Sequence, residues 1–144
     1  SYREWLAAQA VAYVALPDAA LDPSSAQEGR LIRGGLRYLQ PVFASAHWRV
    51  FRVLGAPPLA AGPGVLRSLG HDTFSLSAYA AGSFVVRVHY TRYWTLSGVP
   101  GCVGGAPGGW TRVTVRAAGT ATVAARFSLA RALGSGAACA AASG

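Results

Sequence analysis

The stretch Ser83–Gly98, SFVVRVHYTRYWTLSG, decides the fold. Phe84, Val86, Val88 and Tyr90 fall on one side of an extended chain and Val85, Arg87, His89 and Thr91 on the other, because successive side chains of a strand point to opposite faces. The first set is the core side. The same grammar recurs around it: VLRSLG, TFSLSAY, YWTLS, WTRVTVRA and TATVAARF are short runs separated by turn residues, the spacing of a β-sandwich or jelly roll. AAGSFVVRV (Ala80–Val88) is echoed by AAGTATVAARF (Ala117–Phe127), a small-residue turn that runs into an alternating strand.

Upstream, GAPPLAAGPG (Gly55–Gly64) carries three prolines and three glycines, which fit neither a helix nor a central strand, so it reads as the one internal boundary. The chain before it has an α/β rhythm. Tyr2–Gln9 can form a helix with Trp5 and Leu6 on its buried side, and VAYVAL (Val11–Leu16) is a short apolar strand ended by Pro17. In LDPSSAQEGRLIRGG, Ser24 or Ser25 is the expected N-cap and Glu28 the capping-box acid. Leu31 and Ile32 supply a buried face, and Gly34-Gly35 stop the helix. Two strands follow, Leu39–Ala44 and His47–Leu54.

The expected fold is therefore α+β and mainly β: an antiparallel, jelly-roll-like β-sandwich over 65–129 with a small N-terminal α/β layer over 1–54 packed on it. A length of 144 residues suits one compact unit. The tail 130–144 is flexible unless Cys139 ties it down.

Composition narrows the setting. No apolar run reaches the eighteen or so residues of a membrane span. The chain has no methionine and no signal-peptide pattern at SYREWLAAQA, so it is expected to be a piece of a longer protein whose missing part directs export. The net charge of +8 comes from arginines without a single lysine. They are scattered, apart from Arg30, Arg33 and Arg37, and no nucleic-acid motif accompanies them, so a basic surface facing an anionic envelope fits better than a nucleic-acid partner. Cys102 and Cys139 lie in no CxxC and beside no histidine. Metal and redox motifs have little support, and two arrangements remain: a disulfide that pins the tail to the loop, which the spacing favours and which needs an oxidising compartment, or two reduced thiols.

Three kinds of chemistry can be weighed. Tyr90, Tyr93 and Trp94 end one strand and Trp110 opens another after the glycine-rich loop SGVPGCVGGAPGG. Such rings can stack on sugar faces, with Arg92 or His89 as hydrogen-bond donors, or they can plug the end of a sandwich; burial of large aromatics favours the plug. The loop matches neither the P-loop nor GxGxxG. Hydrolysis wants paired carboxylates or a nucleophile with its base. The five acids are Glu4, Asp18, Asp22, Glu28 and Asp72; four read as caps, turns or helix surface, and Asp72 as an Asx-type turn residue beside His71. No catalytic residue is expected, nor a cofactor. His47, His71 and His89 lack metal-ligand spacing, so no metal site is expected either.

Tyr2, Trp5, Leu6, Val11, Tyr13, Val14, Leu16, Pro17 and Asp18, together with the later HWRVFRV, SFVVRVHYTRYWTLSG, GCV, GGWTRV and ARFSLAR, carry a resemblance. The chain resembles the segment that follows the last transmembrane helix in polytopic actinobacterial membrane proteins, themselves similar to the GT-C type of polyprenyl-phosphate-sugar-dependent glycosyltransferase. The resemblance implies a noncatalytic domain at the extracytoplasmic face of the cell membrane. Its implied partners are cell-envelope glycan or lipid-linked sugar, and the membrane region of the same polypeptide. The family's catalytic acid lies in a membrane-proximal loop outside this chain, so no functional residue carries over. The candidate glycan contacts are Tyr90, Arg92, Tyr93, Trp94 and Trp110. A structural or protein-interaction module is the alternative reading, and a secreted stand-alone enzyme the third.

Overall fold

The computed structural model describes residues 1–133 and Cys139. Strands hold 47% of the residues and helices 18%, and the sheets are antiparallel, which makes the protein α+β with a β-sandwich. The chain divides into two compact units, Ser1–Pro58 and Leu59–Gly144, at a point inside the Pro/Gly-rich stretch. Among the described residues no helix is long and apolar enough to cross a membrane.

The first unit begins with helix α1 (Tyr2–Ala8), which carries a capping box absent from the sequence reading. Ser1 Oγ accepts from the Glu4 backbone N–H, and the Glu4 carboxylate accepts from the N-terminal ammonium at 2.7 Å. Strand β1 (Tyr13–Pro17), helix α2 (Pro23–Arg33) and strands β2 (Leu39–Ala44) and β3 (Trp48–Val53) follow. The N-cap of α2 is Asp22 rather than Ser24 or Ser25: its carboxylate accepts from the backbone N–H groups of both serines, and Pro23 takes the first turn, where no N–H is required. The Ser24 hydroxyl first, then the Ser25 N–H and hydroxyl, also donate to the charged carboxylate and lower the Asp22 carboxyl to about 2. Glu28 closes no capping box. It accepts a 2.5 Å bond from the Tyr2 hydroxyl, whose pKa is raised by burial and then by that bond.

The sheet order is β1-β3-β2, every neighbouring pair antiparallel. The strand–helix–strand run β1-α2-β2 thus yields two strands of like direction that do not touch, because β3 lies between them. Leu6, Val14, Leu16, Ile32, Leu39 and Val53 form the core. Trp5 and Leu31, expected inside, are exposed: the short helices turn only one narrow stripe inward, and Leu6 and Ile32 occupy it.

The second unit is a sandwich of two four-stranded sheets. One, in the order β4-β7-β10-β9, joins β4 (Ala60–Ala61), β7 (Gly82–His89), β10 (Trp110–Val115) and β9 (Gly101–Ala106). The other, in the order β5-β6-β11-β8, joins β5 (Gly64–Leu69), β6 (Thr73–Ala78), β11 (Gly119–Ala125) and β8 (Trp94–Ser97). Phe74, Leu76, Val123 and Trp94 of one sheet meet Phe84, Val86, Val103 and Val113 of the other in a single core. The alternation read for β7 holds, with Phe84 and Val86 buried and Val88 and Tyr90 packed against the core. The turn at His71-Asp72 is closed through backbone, Gly70 N–H to Thr73 C=O, and Asp72 offers its carbonyl to Ala125 N–H rather than capping through its carboxylate.

The glycine-rich loop of the sequence reading is in part a strand. Gly101–Ala106 pairs along β10 as an edge strand, and its glycines make room for neighbours. A Cβ on Gly104 would stand 3.3 Å from Cys139 Cβ. Cys139 donates its N–H to Val103 C=O and forms a disulfide with Cys102, pinning the tail to the sheet edge. Leu129–Ala132 form a short helix where the tail was expected to be flexible, and past residue 133 only Cys139 of that tail is among the described residues.

Candidate functional site

The aromatic residues singled out from sequence divide among three environments in the second unit. A bulge creates two of them. Trp110 pairs with His89 and the next residue, Thr111, with Val86, so β7 carries extra residues at its end. The carbonyls of Val88 and His89 leave the ladder and find other donors: Thr111 Oγ1–H donates to Val88 at 2.8 Å and the Trp94 indole N–H donates to His89 at 3.1 Å. Trp94 is therefore built into the core. Trp94 is 8% exposed and its ring meets Phe74 edge-on at 5.5 Å, the position of a core plug rather than of an open stacking face. Tyr90 is half-buried against the same core, with its N–H held by Gly109 C=O.

Trp110 is different. It starts β10, whose residues alternate half-buried and buried, and it falls with Arg112 and Thr114 on the outer side. The turn Pro107–Gly109 delivers it there, and Gly108 and Gly109 adopt φ of 80° and 77°, conformations costly for any residue with a Cβ. The half-buried indole lies 4.8 Å from the His89 ring and 5.8 Å from the Arg87 guanidinium. A flat ring with two donors beside it is the arrangement that binds a sugar by stacking and hydrogen bonding.

Tyr93 and Arg92 make the third environment. Tyr93 is half-buried and packs on exposed Phe127 at 5.5 Å, while Arg92 Nη1 donates to Ala132 C=O at 3.0 Å. The five expected contacts thus lie in three environments, and Trp110 is the half-buried ring that has His89 tilted against it and Arg87 over it. Arg87 was readable on the outer side of its strand, but its approach to Trp110 depends on the bulge, which carries no local signal in SFVVRVHY.

A second group, in the first unit, went unread. Pro17, Asp18, Arg33, His47, Trp48 and Arg49, with Leu16, Ser45 and Ala46, line a pocket at the turn between β2 and β3. The turn is fixed by Ser45, whose Oγ accepts from the backbone N–H groups of His47 and Trp48, and by Asp18 N–H donating to His47 C=O at 2.9 Å. Among the described residues, no group of three His, Cys, Asp or Glu side chains converges as metal ligands would. Compared with family models, with curated proteins and with solved structures, the chain matches none of them.

Proposed function

We propose that this chain is a noncatalytic, extracytoplasmic accessory domain of a membrane-bound, glycosyltransferase-like protein, and that it contacts cell-envelope glycan through Trp110. The observation that carries this reading is the half-buried Trp110 ring with His89 at 4.8 Å and Arg87 at 5.8 Å, held on strands rather than on a mobile loop. The indole supplies a stacking face and the two basic side chains supply donors for hydroxyl groups. The Cys102–Cys139 disulfide is compatible with an oxidising compartment and supports the extracytoplasmic location. The roles of Glu4, Asp22 and Glu28 in caps and in the Tyr2 bond support the noncatalytic part. Burial of Trp94 and the disulfide staple favour a second reading, a structural or protein-interaction module.

The test is a tryptophan-fluorescence and thermal-shift titration of the chain with arabinan, galactan, mannan and polyprenyl phosphate at low and high salt. A saturable, salt-insensitive response to one glycan that disappears in Trp110→Ala is expected. A response that disappears with salt, or none, would favour the structural module.

A further inference from the structure

We propose that the pocket at the β2–β3 turn is a second binding site, for a single sugar ring that carries a phosphate or carboxylate group. It lies in the first unit and does not depend on glycan contact at Trp110. Arg33 from the end of α2 and Arg49 from the start of β3 approach it from two different elements, and His47 adds an imidazole from the turn. Neither guanidinium has an ion-pair partner among the described residues, although Asp18 lines the same pocket. Favourable contact with the C-terminal end of the α2 dipole explains an arginine at position 33; it explains nothing about Arg49, which sits on a strand. Two guanidiniums and an imidazole around one cleft outnumber its single carboxylate, Asp18, and a planar fork of N–H groups matches the oxygens of a phosphate or carboxylate.

The other lining residues select the rest of the ligand. Trp48 is 48% exposed and lines the pocket, with Pro17 paired to it across β1 and β3. Ser45 accepts two backbone bonds through Oγ and keeps its own O–H to donate, while the Asp18 carboxylate accepts from hydroxyl groups. An oxyanion at the arginines, a ring against Trp48 and hydroxyls at Asp18 and Ser45 describe one charged monosaccharide unit. Neutral sugar leaves the arginines unsatisfied, and bare phosphate leaves Trp48 unused.

The full chain would be titrated with glucose, glucuronic acid, glucose 1-phosphate, inorganic phosphate and farnesyl phosphate, following backbone amide and indole signals by NMR. Glucose 1-phosphate or glucuronic acid is expected to bind at least about tenfold tighter than glucose, shifting the Trp48 indole. Arg33→Gln with Arg49→Gln should remove that preference, and Trp48→Ala should weaken both charged sugars towards inorganic phosphate. The arginine variant should lose only the small contribution of Arg33 to the C-terminal end of α2, stay folded, and keep its response at Trp110. Equal binding of glucose and its charged forms, or a preference that survives the arginine variant, would overturn the proposal and leave the Trp110 reading intact. Inorganic phosphate as tight as glucose 1-phosphate, or farnesyl phosphate tighter than either, would overturn the sugar assignment. A response at Trp110 with none in the pocket would overturn the second site alone.

Discussion

The two units answer the same problem, covering a sheet, in opposite ways. In the sandwich each sheet has another sheet on its inner face, and β6 and β10 alternate between half-buried and buried at every residue. In the first unit the three strands are covered by two helices of seven and eleven residues, and β2 buries only Leu39. Tyr13 and Phe43 remain 60% and 57% exposed. Complete cover puts Phe74, Phe84 and Trp94 inside the sandwich. Partial cover leaves rings outside, and the pocket at the β2–β3 turn is lined by one of them, Trp48.

The largest effect that would sharpen this contrast is Phe74→Ala. Phe74 is fully buried against Trp94, and the truncation should cost about 3–5 kcal/mol, read as an earlier denaturant midpoint in Trp94 fluorescence. A cost below about 1 kcal/mol would mean that the sandwich core is no better packed than the open sheet. Next comes the disulfide. Replacing Cys102 and Cys139 with serine opens a loop spanning a sequence separation of 37 and should cost about 3–4 kcal/mol by loss of cross-link entropy. If the double variant melts with the wild type, the tail contributes nothing to the edge strand. Phe43→Ser, on the open sheet, should change stability by no more than about 0.5 kcal/mol. A loss of more than about 2 kcal/mol would show that this face is covered in solution and would erase the contrast.

How far each region was legible follows the same line. Phe84, Val86, Val88 and Tyr90 were readable because a sheet covered by a sheet imposes a strict period of two. Leu39–Ala44 was readable for its boundaries, but not for its exposure, since nothing in LQPVFA tells how much of a sheet two short helices cover. Trp5 against Leu6 and Leu31 against Ile32 failed for a related reason: neighbouring apolar residues on a short helix point about 100° apart, and tertiary context decides which is buried. Gly101–Ala106 read as a loop because glycine weakens a strand, and the reason for Gly104, the close approach of Cys139, is distant in sequence. Arg33 was visible only with Arg30 and Arg37, and Arg49 only as scattered charge, and no spacing rule joins a helix end to a strand start across a hairpin turn.

The smallest effect sharpens the contrast from the helix side. Asp22 caps α2 through the backbone N–H groups of Ser24 and Ser25, and the Ser24 hydroxyl bond, followed by the bonds from Ser25, holds its carboxyl at about 2, below the ordinary carboxylate value. A carboxyl lowered in the folded state stabilises above its unfolded pKa, and that contribution is lost as pH falls through the folded value. The loss therefore falls between the ordinary carboxylate pKa and about pH 2. In an Asp22→Asn variant the side-chain amide oxygen still accepts the cap bonds, but there is no proton to gain. Near neutral pH the two proteins should melt almost together when α2 is followed by far-UV circular dichroism, and on acidification the wild type alone should lose the Asp22 share of its stability. Parallel acid profiles would mean that the cap is too exposed to couple to folding. The hold of the helices on the open sheet would then rest on Leu6, Ile32 and the Tyr2–Glu28 bond rather than on the cap charge.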